Sequence, residues 1–88
     1  MADHAYILDV SDDADNQLRK LTKKNRKLFE ILDKKVRQIL ANPHHFKPLR
    51  GDMHGARRVH IDSCFVLTYE IKGNVVRLLD FDHHDNIY

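Results

Sequence analysis

Apolar positions recur along this chain in two different rhythms. Ala5-Tyr6-Ile7-Leu8-Asp9-Val10 is a short, largely apolar run that predicts a first strand covered on at least one face. The period then lengthens. Ser11 is suited to cap a helix whose first turn holds Asp12 and Asp13, carboxylates that oppose the positive end of the helix dipole. Ala14, Leu18 and Leu21 follow at helical spacing. A second helix is written more plainly: Leu28, Phe29, Leu32, Val36, Ile39 and Leu40 fall on one stripe at offsets 0, 1, 4, 8, 11 and 12. Lys27, Lys34, Lys35 and Gln38 are left outward, and Asn42-Pro43 ends the helix because proline disfavours helical geometry in the residue before it.

Between Pro43 and Gly55, stiff Pro43 and Pro48 give way to Gly51 and Gly55, which predicts a surface loop. The loop carries His44, His45, Lys47, Arg50 and His54. Three strands are then expected to meander over Arg57–Asp62, Cys64–Ile71 and Asn74–Phe81, with reversals at Asp62-Ser63 and Lys72-Gly73-Asn74. Alternation puts Val59 and Ile61 on one face of the first of these and Arg58, His60 and Asp62 on the other. The order β-α-α-β-β-β predicts an α+β fold: a twisted, mainly antiparallel sheet with a helical hairpin on one face and the other face free to bind.

Size limits the alternatives. The 88 residues hold no repeat, low-complexity tract or linker, so residues 1–88 read as a single domain. A domain this small buries only about 60–65% of the surface its unfolded chain exposes. Cys64 is the one cysteine, so no internal disulfide can form, and a reducing compartment fits. Met1-Ala2-Asp3-His4 lacks the basic region and apolar run of a signal peptide, and no stretch approaches the roughly 18 apolar residues of a membrane span. The expectation is a soluble cytoplasmic protein.

The formal net charge of +2 averages unlike segments. From Arg19 to Gln38 there are nine basic residues against Glu30 and Asp33, while acid gathers at Asp9, Asp12, Asp13 and Asp15 and again at Asp80, Asp82 and Asp85. Such asymmetry fits a polyanion or an acidic protein as partner, and equally an ordinary solvated lysine-rich helix face.

Histidine supplies the candidate chemistry. Asp82-His83-His84-Asp85-Asn86-Ile87-Tyr88 sets imidazoles, carboxylates and a tyrosine just past the last strand, and Arg57-Arg58-Val59-His60 adds a third imidazole beside two guanidinium groups. An unperturbed imidazole titrates at about 6.5, which suits proton transfer near neutral pH. The blander reading of each is a surface or capping histidine, and His44, His45 and His54 read as solvated loop residues. Tyr69 reads as core and Cys64 as a small buried apolar residue. Zinc or manganese would accept His60, Asp82, His83, His84 and Asp85, but no helical His-x-x-x-His pair or CxxC knuckle fixes a geometry, so neither a metal nor any other cofactor is expected.

Three segments together carry a resemblance that spans nearly the whole chain. Pro48-Leu49-Arg50-Gly51 with Gly55-Ala56-Arg57-Arg58-Val59-His60-Ile61, then Val66-Leu67-Thr68-Tyr69-Glu70-Ile71, and finally Asp82-His83-His84-Asp85-Asn86-Ile87-Tyr88 resemble the RelE/ParE superfamily of toxins from type II toxin-antitoxin modules. The RelE branch contains ribosome-dependent endoribonucleases that cut messenger RNA, and ParE-like members poison DNA gyrase. The residues are most similar to the histidine-using, YafQ-like mRNA interferases. That resemblance implies catalytic roles for His60 and His84, with Tyr88 as the aromatic near the end and Arg58 where RelE places a basic residue. Lys47, Arg50, Arg57 and His83 become candidates for substrate contact, although His83 stands immediately before His84 and alternation points it the other way. In two places the chain departs from the pattern: the middle-strand arginine of RelE falls near Val66, and the acidic group of YafQ-like sites falls at Cys64, with Asp62 as a substitute.

Cutting RNA without a metal requires activation of the ribose 2′-hydroxyl, stabilisation of a crowded anionic transition state and protonation of the leaving 5′-oxygen. The implied division gives the proton transfers to His60 and His84, the phosphate to Arg58, and stacking or a hydrogen bond to Tyr88; which imidazole is the base stays open. The implied partners are messenger RNA on the ribosome, ribosomal RNA along the basic helix, and an acidic antitoxin that covers the same charge or the open sheet face, with no membrane. Two other readings stand beside this one: a ParE-like gyrase inhibitor without nuclease activity, and a catalytically silent relative that binds only its antitoxin or DNA.

Overall fold

The computed structural model describes residues 6–46 and 55–84. Six elements follow in order: β1 (Ile7–Val10), α1 (Asp12–Thr22), α2 (Arg26–Ala41), β2 (Ala56–Ile61), β3 (Phe65–Lys72) and β4 (Val75–His83). Both helices start where a side chain satisfies an orphan amide. Ser11 Oγ accepts from the Ala14 N–H at 3.1 Å and donates to the Leu79 carbonyl at 3.1 Å, so one hydroxyl caps α1 and fastens it to β4. Asn25 Oδ1 accepts from the Leu28 N–H at 3.0 Å and starts α2. Asp12, Asp13 and Asp15 in the first turn of α1, with Arg19 and Lys20 in its last, complement the dipole at both ends.

The sheet order is β1-β4-β3-β2, with β1 parallel to β4 and the other pairs antiparallel. The helical crossover carries the chain from β1 to the far edge, and the β2-β3-β4 meander then returns to pair with β1. Ala14, Leu28, Leu32 and Ile39 pack from the helices onto Val59, Ile61, Leu67, Tyr69, Val76, Leu78 and Phe81. The helices therefore cover one face of this α+β sheet. Tyr69, fully buried, donates its hydroxyl to the Pro43 carbonyl at 2.6 Å and ties the centre of β3 to the end of α2. Burial pushes its phenol up to about 12, against a smaller opposing pull from the Arg57 guanidinium.

The structure corrects several expectations. Phe29, placed on the apolar stripe, is 55% exposed, because one residue is about 100° of helical rotation and carries its ring past the edge of the face that Leu28 buries. Cys64 is exposed in the turn before β3, rather than buried within the strand, and Asp62 and Ser63 of that turn take positive φ of 52° and 59°. The last strand runs to His83, beyond the expected end at Phe81. A β-bulge also interrupts the β3–β4 ladder: Thr68 pairs with Asp80 while Tyr69 pairs with Leu78, so Leu79 is the extra residue.

Candidate active site on the open sheet face

The bulge decides which histidine faces which. Up to Leu78 the even-numbered residues of β4, Val76 and Leu78, are the buried ones; after Leu79 the parity inverts and Phe81 goes to the core. Asp80, Asp82 and His84 are thereby turned to the face opposite the helices. On β2, Val59 and Ile61 go to the core and Arg58 and His60 to that same open face.

Register assembles the site from these residues. His60 pairs with Val66, and Val66 with Asp82; Arg58 pairs with Thr68, and Thr68 with Asp80. Two rows thus cross the sheet, each with a basic side chain on β2, a buried floor on β3 and a carboxylate on β4. Adjacent strands are about 4.8 Å apart, so β2 and β4 are about 10 Å apart. His84 bridges that gap. Its N–H donates to the Cys64 carbonyl at 2.8 Å, and its ring centroid lies 5.6 Å from that of His60 with the planes 31° apart. His60 is exposed and His84 half-buried, while Arg58, half-buried one pair further along β2, has its Nε screened from solvent.

Two candidates for substrate contact do not join this group. His83 turns to the other face, where its ring lies 4.4 Å from that of Phe65, which in turn lies 5.4 Å from Phe81 at 17°. It belongs to an aromatic stack on the helix side. Arg57 likewise shares the face of Val59 and Ile61, and its Nη1 donates to the Phe46 carbonyl, bracing the segment that follows α2. Lys47, Arg50 and Tyr88 lie outside the described residues, as do His54 and Asp85.

The two departures from the resemblance have plain structural readings. Val66, near which the resemblance places the middle-strand arginine, is fully buried and forms an apolar floor. Cys64, at the position of the YafQ-like acid, offers its backbone carbonyl to His84 and leaves its thiol 3.9 Å from the Ser63 hydroxyl. Sequence reasoning did not identify Thr68 and Asp80 as part of this face. A signal for them exists in the doublet Leu78-Leu79, which breaks strict alternation just before Asp80. Among the described residues, no three His, Cys, Asp or Glu side chains gather as a metal site requires.

Chemically, the arrangement offers two imidazoles within reach of a single phosphate group, a guanidinium to one side and no covering element among those described. One imidazole can take a proton while the other gives one, and the cation can hold an anionic centre between them.

Comparisons with known proteins agree with this architecture. The sequence profile of the family described as the ParE toxin of the type II toxin-antitoxin system, parDE, matches residues 8–88. An uncharacterised protein of Methanosarcina mazei is 45% identical over 85 residues, which span 94% of this chain and 99% of that protein. A protein of Methanocaldococcus jannaschii, provisionally named toxin RelE4, is 42% identical over 85 residues, spanning 94% of this chain and 90% of that one. Among solved structures, the E. coli DinJ-YafQ toxin-antitoxin complex superposes with a TM-score of 0.79 at 19% identity, covering 97% of this chain and 99% of its counterpart.

Proposed function

The chain belongs to the RelE/ParE superfamily of type II toxin-antitoxin toxins, and from that premise we propose that it is an endoribonuclease that cuts messenger RNA on the ribosome without a metal. The observation that carries this reading is the 5.6 Å approach of His60 and His84 on the sheet face opposite the helices, beside Arg58. A toxin that acts only by binding needs neither imidazole there.

In the proposed reaction the scissile ribose lies across the His60–His84 pair. One imidazole, neutral, removes the 2′-hydroxyl proton as that oxygen attacks the adjacent phosphorus. The other, protonated, gives its proton to the 5′-oxygen as the P–O5′ bond breaks, so the products are a 2′,3′-cyclic phosphate and a 5′-hydroxyl. Arg58 opposes the charge that builds on the non-bridging oxygens. Tyr88 is assigned from the sequence resemblance to stack on or hydrogen-bond the nucleotide beside the cut, and Lys47 and Arg50, as basic residues of the loop sequence, are assigned to contact the substrate. Asp80 and Asp82 on β4, one in each row, discourage a second phosphate from settling there, so the anion is directed to the β2 side.

The ribosome supplies the docking surface. Lysines and arginines of α1 and α2 hold ribosomal RNA without reading its sequence, and the site of action is the cytoplasm. A cognate antitoxin, the kind of partner seen in the DinJ-YafQ complex, silences the protein by covering the open face or the basic helices. The match to the ParE profile favours one second reading, a gyrase-binding toxin without nuclease activity.

The deciding experiment adds the purified protein to ribosomes programmed with a defined message, with and without a chelator, and maps new RNA ends. New 5′-hydroxyl ends that persist with chelator, and vanish when the scissile ribose is 2′-deoxy, are expected. An intact message together with arrested gyrase supercoiling would establish the second reading instead.

A further inference from the structure

We propose that the turn between α1 and α2 is a second RNA-contact site, at which the exposed ring of Phe29 stacks on an unpaired base while Lys23, Lys24 and Arg26 hold the flanking phosphates. This site rests on the proposal that RNA is the target, and adds to it a specific nucleotide contact on the side of the sheet away from His60.

Phe29 is 55% exposed at the start of α2 and lines a shallow groove of about 550 Å³ with Thr22, Lys23, Lys24, Arg26 and Glu30. The one carboxylate in that lining is engaged by Arg26, 3.5 Å away. Lys20, Lys23, Lys24 and Lys27 carry no ion pair among the described residues, so positive charge at this turn is not neutralised from within.

The pattern selects the partner. Ile7 and Leu8, the other large exposed apolar residues among those described, lie on β1, so Phe29 does not begin an apolar strip. A docked amphipathic helix needs anchors repeated every three or four residues, and an isolated aromatic ringed by cations offers it one. A nucleotide needs what is present: a flat apolar surface for a base and cations on either side for phosphate, the combination by which single-stranded nucleic acid is held without sequence preference. Core packing of Leu28, Leu32 and Ile39 places this turn's helix on the covered side of the sheet, so the turn and the His60–His84 pair hold different stretches of RNA.

The test measures binding of a labelled single-stranded RNA oligonucleotide, and of the same oligonucleotide made abasic, to the full chain as a function of salt, alongside cleavage on programmed ribosomes. Phe29→Ala is expected to weaken binding of the normal oligonucleotide roughly tenfold or more, and to leave binding of the abasic one unchanged. Lys23→Gln with Lys24→Gln is expected to lower the log–log salt slope by about 1.4, or about 0.7 for each phosphate no longer neutralised. Thermal melts of both variants should match the unaltered protein, since the substituted side chains are exposed. Equal binding by Phe29→Ala and the unaltered protein, or displacement of RNA by polyglutamate at equal charge, would overturn the site. Phe29-dependent binding without any cleavage would instead remove the nuclease reading and leave this second site standing.

Discussion

The backbone N–H of His84 donates to the carbonyl of Cys64 at 2.8 Å, one step beyond the last formal pair of the sheet, Phe65 with His83. That bond holds the end of β4 against the turn before β3. The bulge at Leu79 selects which side chain the extension delivers to the open face. Without the extra residue, alternation would send His83 towards His60 and His84 into the helix side.

Neighbouring histidines are therefore predicted to behave differently. His84→Ala should lower the single-turnover cleavage rate about 10²–10⁴-fold, the usual contribution of a positioned acid or base, with message binding little changed. His83→Ala should leave that rate within a small factor and show instead as a modest loss of thermal stability, because its ring packs on Phe65. Cleavage assays and melts on the same two preparations check both.

The adjacent arginines divide in the same way. Arg58→Ala removes the cation of the open face and should depress cleavage at saturating message. Arg57→Ala removes a half-buried donor to the Phe46 carbonyl and should lower unfolding stability by about 1–3 kcal/mol while sparing the rate per folded molecule. Denaturant titration beside cleavage kinetics separates the two effects.

Tyr69 gives a stability prediction at high pH. Its phenol is pushed up to about 12 in the fold, against about 10 in an unfolded chain. The folded state therefore keeps a proton that the unfolded state releases. The stabilisation is fully present below pH 10 and is lost as pH rises towards 12, by about 2–3 kcal/mol in all. Tyr69→Phe should lack that alkaline loss and, at neutral pH, be about 1 kcal/mol less stable through the missing bond to Pro43. Chemical denaturation at a series of pH values up to 12 reads both.

Proton transfer by two imidazoles has its own signature. Cleavage requires one neutral and one protonated ring, so the rate should rise and then fall as pH increases. Substituting either histidine should remove one limb of that profile. A rate flat from pH 5 to 9 would mean that neither ring moves a proton in the slow step.

Much of this fold is legible in the sequence, for physical reasons that differ by element. The α2 stripe is readable because 3.6-residue periodicity over four turns leaves little freedom, and Ser11, Asn42 and Pro43 mark ends through local chemistry. The pairing of β1 with β4 depends on how the helical crossover returns, which no local pattern states. Phe29 is misread because a stripe has edges and the sequence does not say how wide the partner surface is. For the site, alternation on β2 suffices to put Arg58 and His60 together, whereas the face taken by His84 depends on one inserted residue. Cys64 contributes through its carbonyl, which residue type cannot reveal.

Whether the two rings work on one phosphodiester is read by a double-mutant cycle on His60 and His84 in single-turnover cleavage of ribosome-bound message. If they act as a unit, His60→Ala with His84→Ala should be scarcely slower than the worse single variant. Losses that multiply, or either single variant cutting at the full rate, would contradict it.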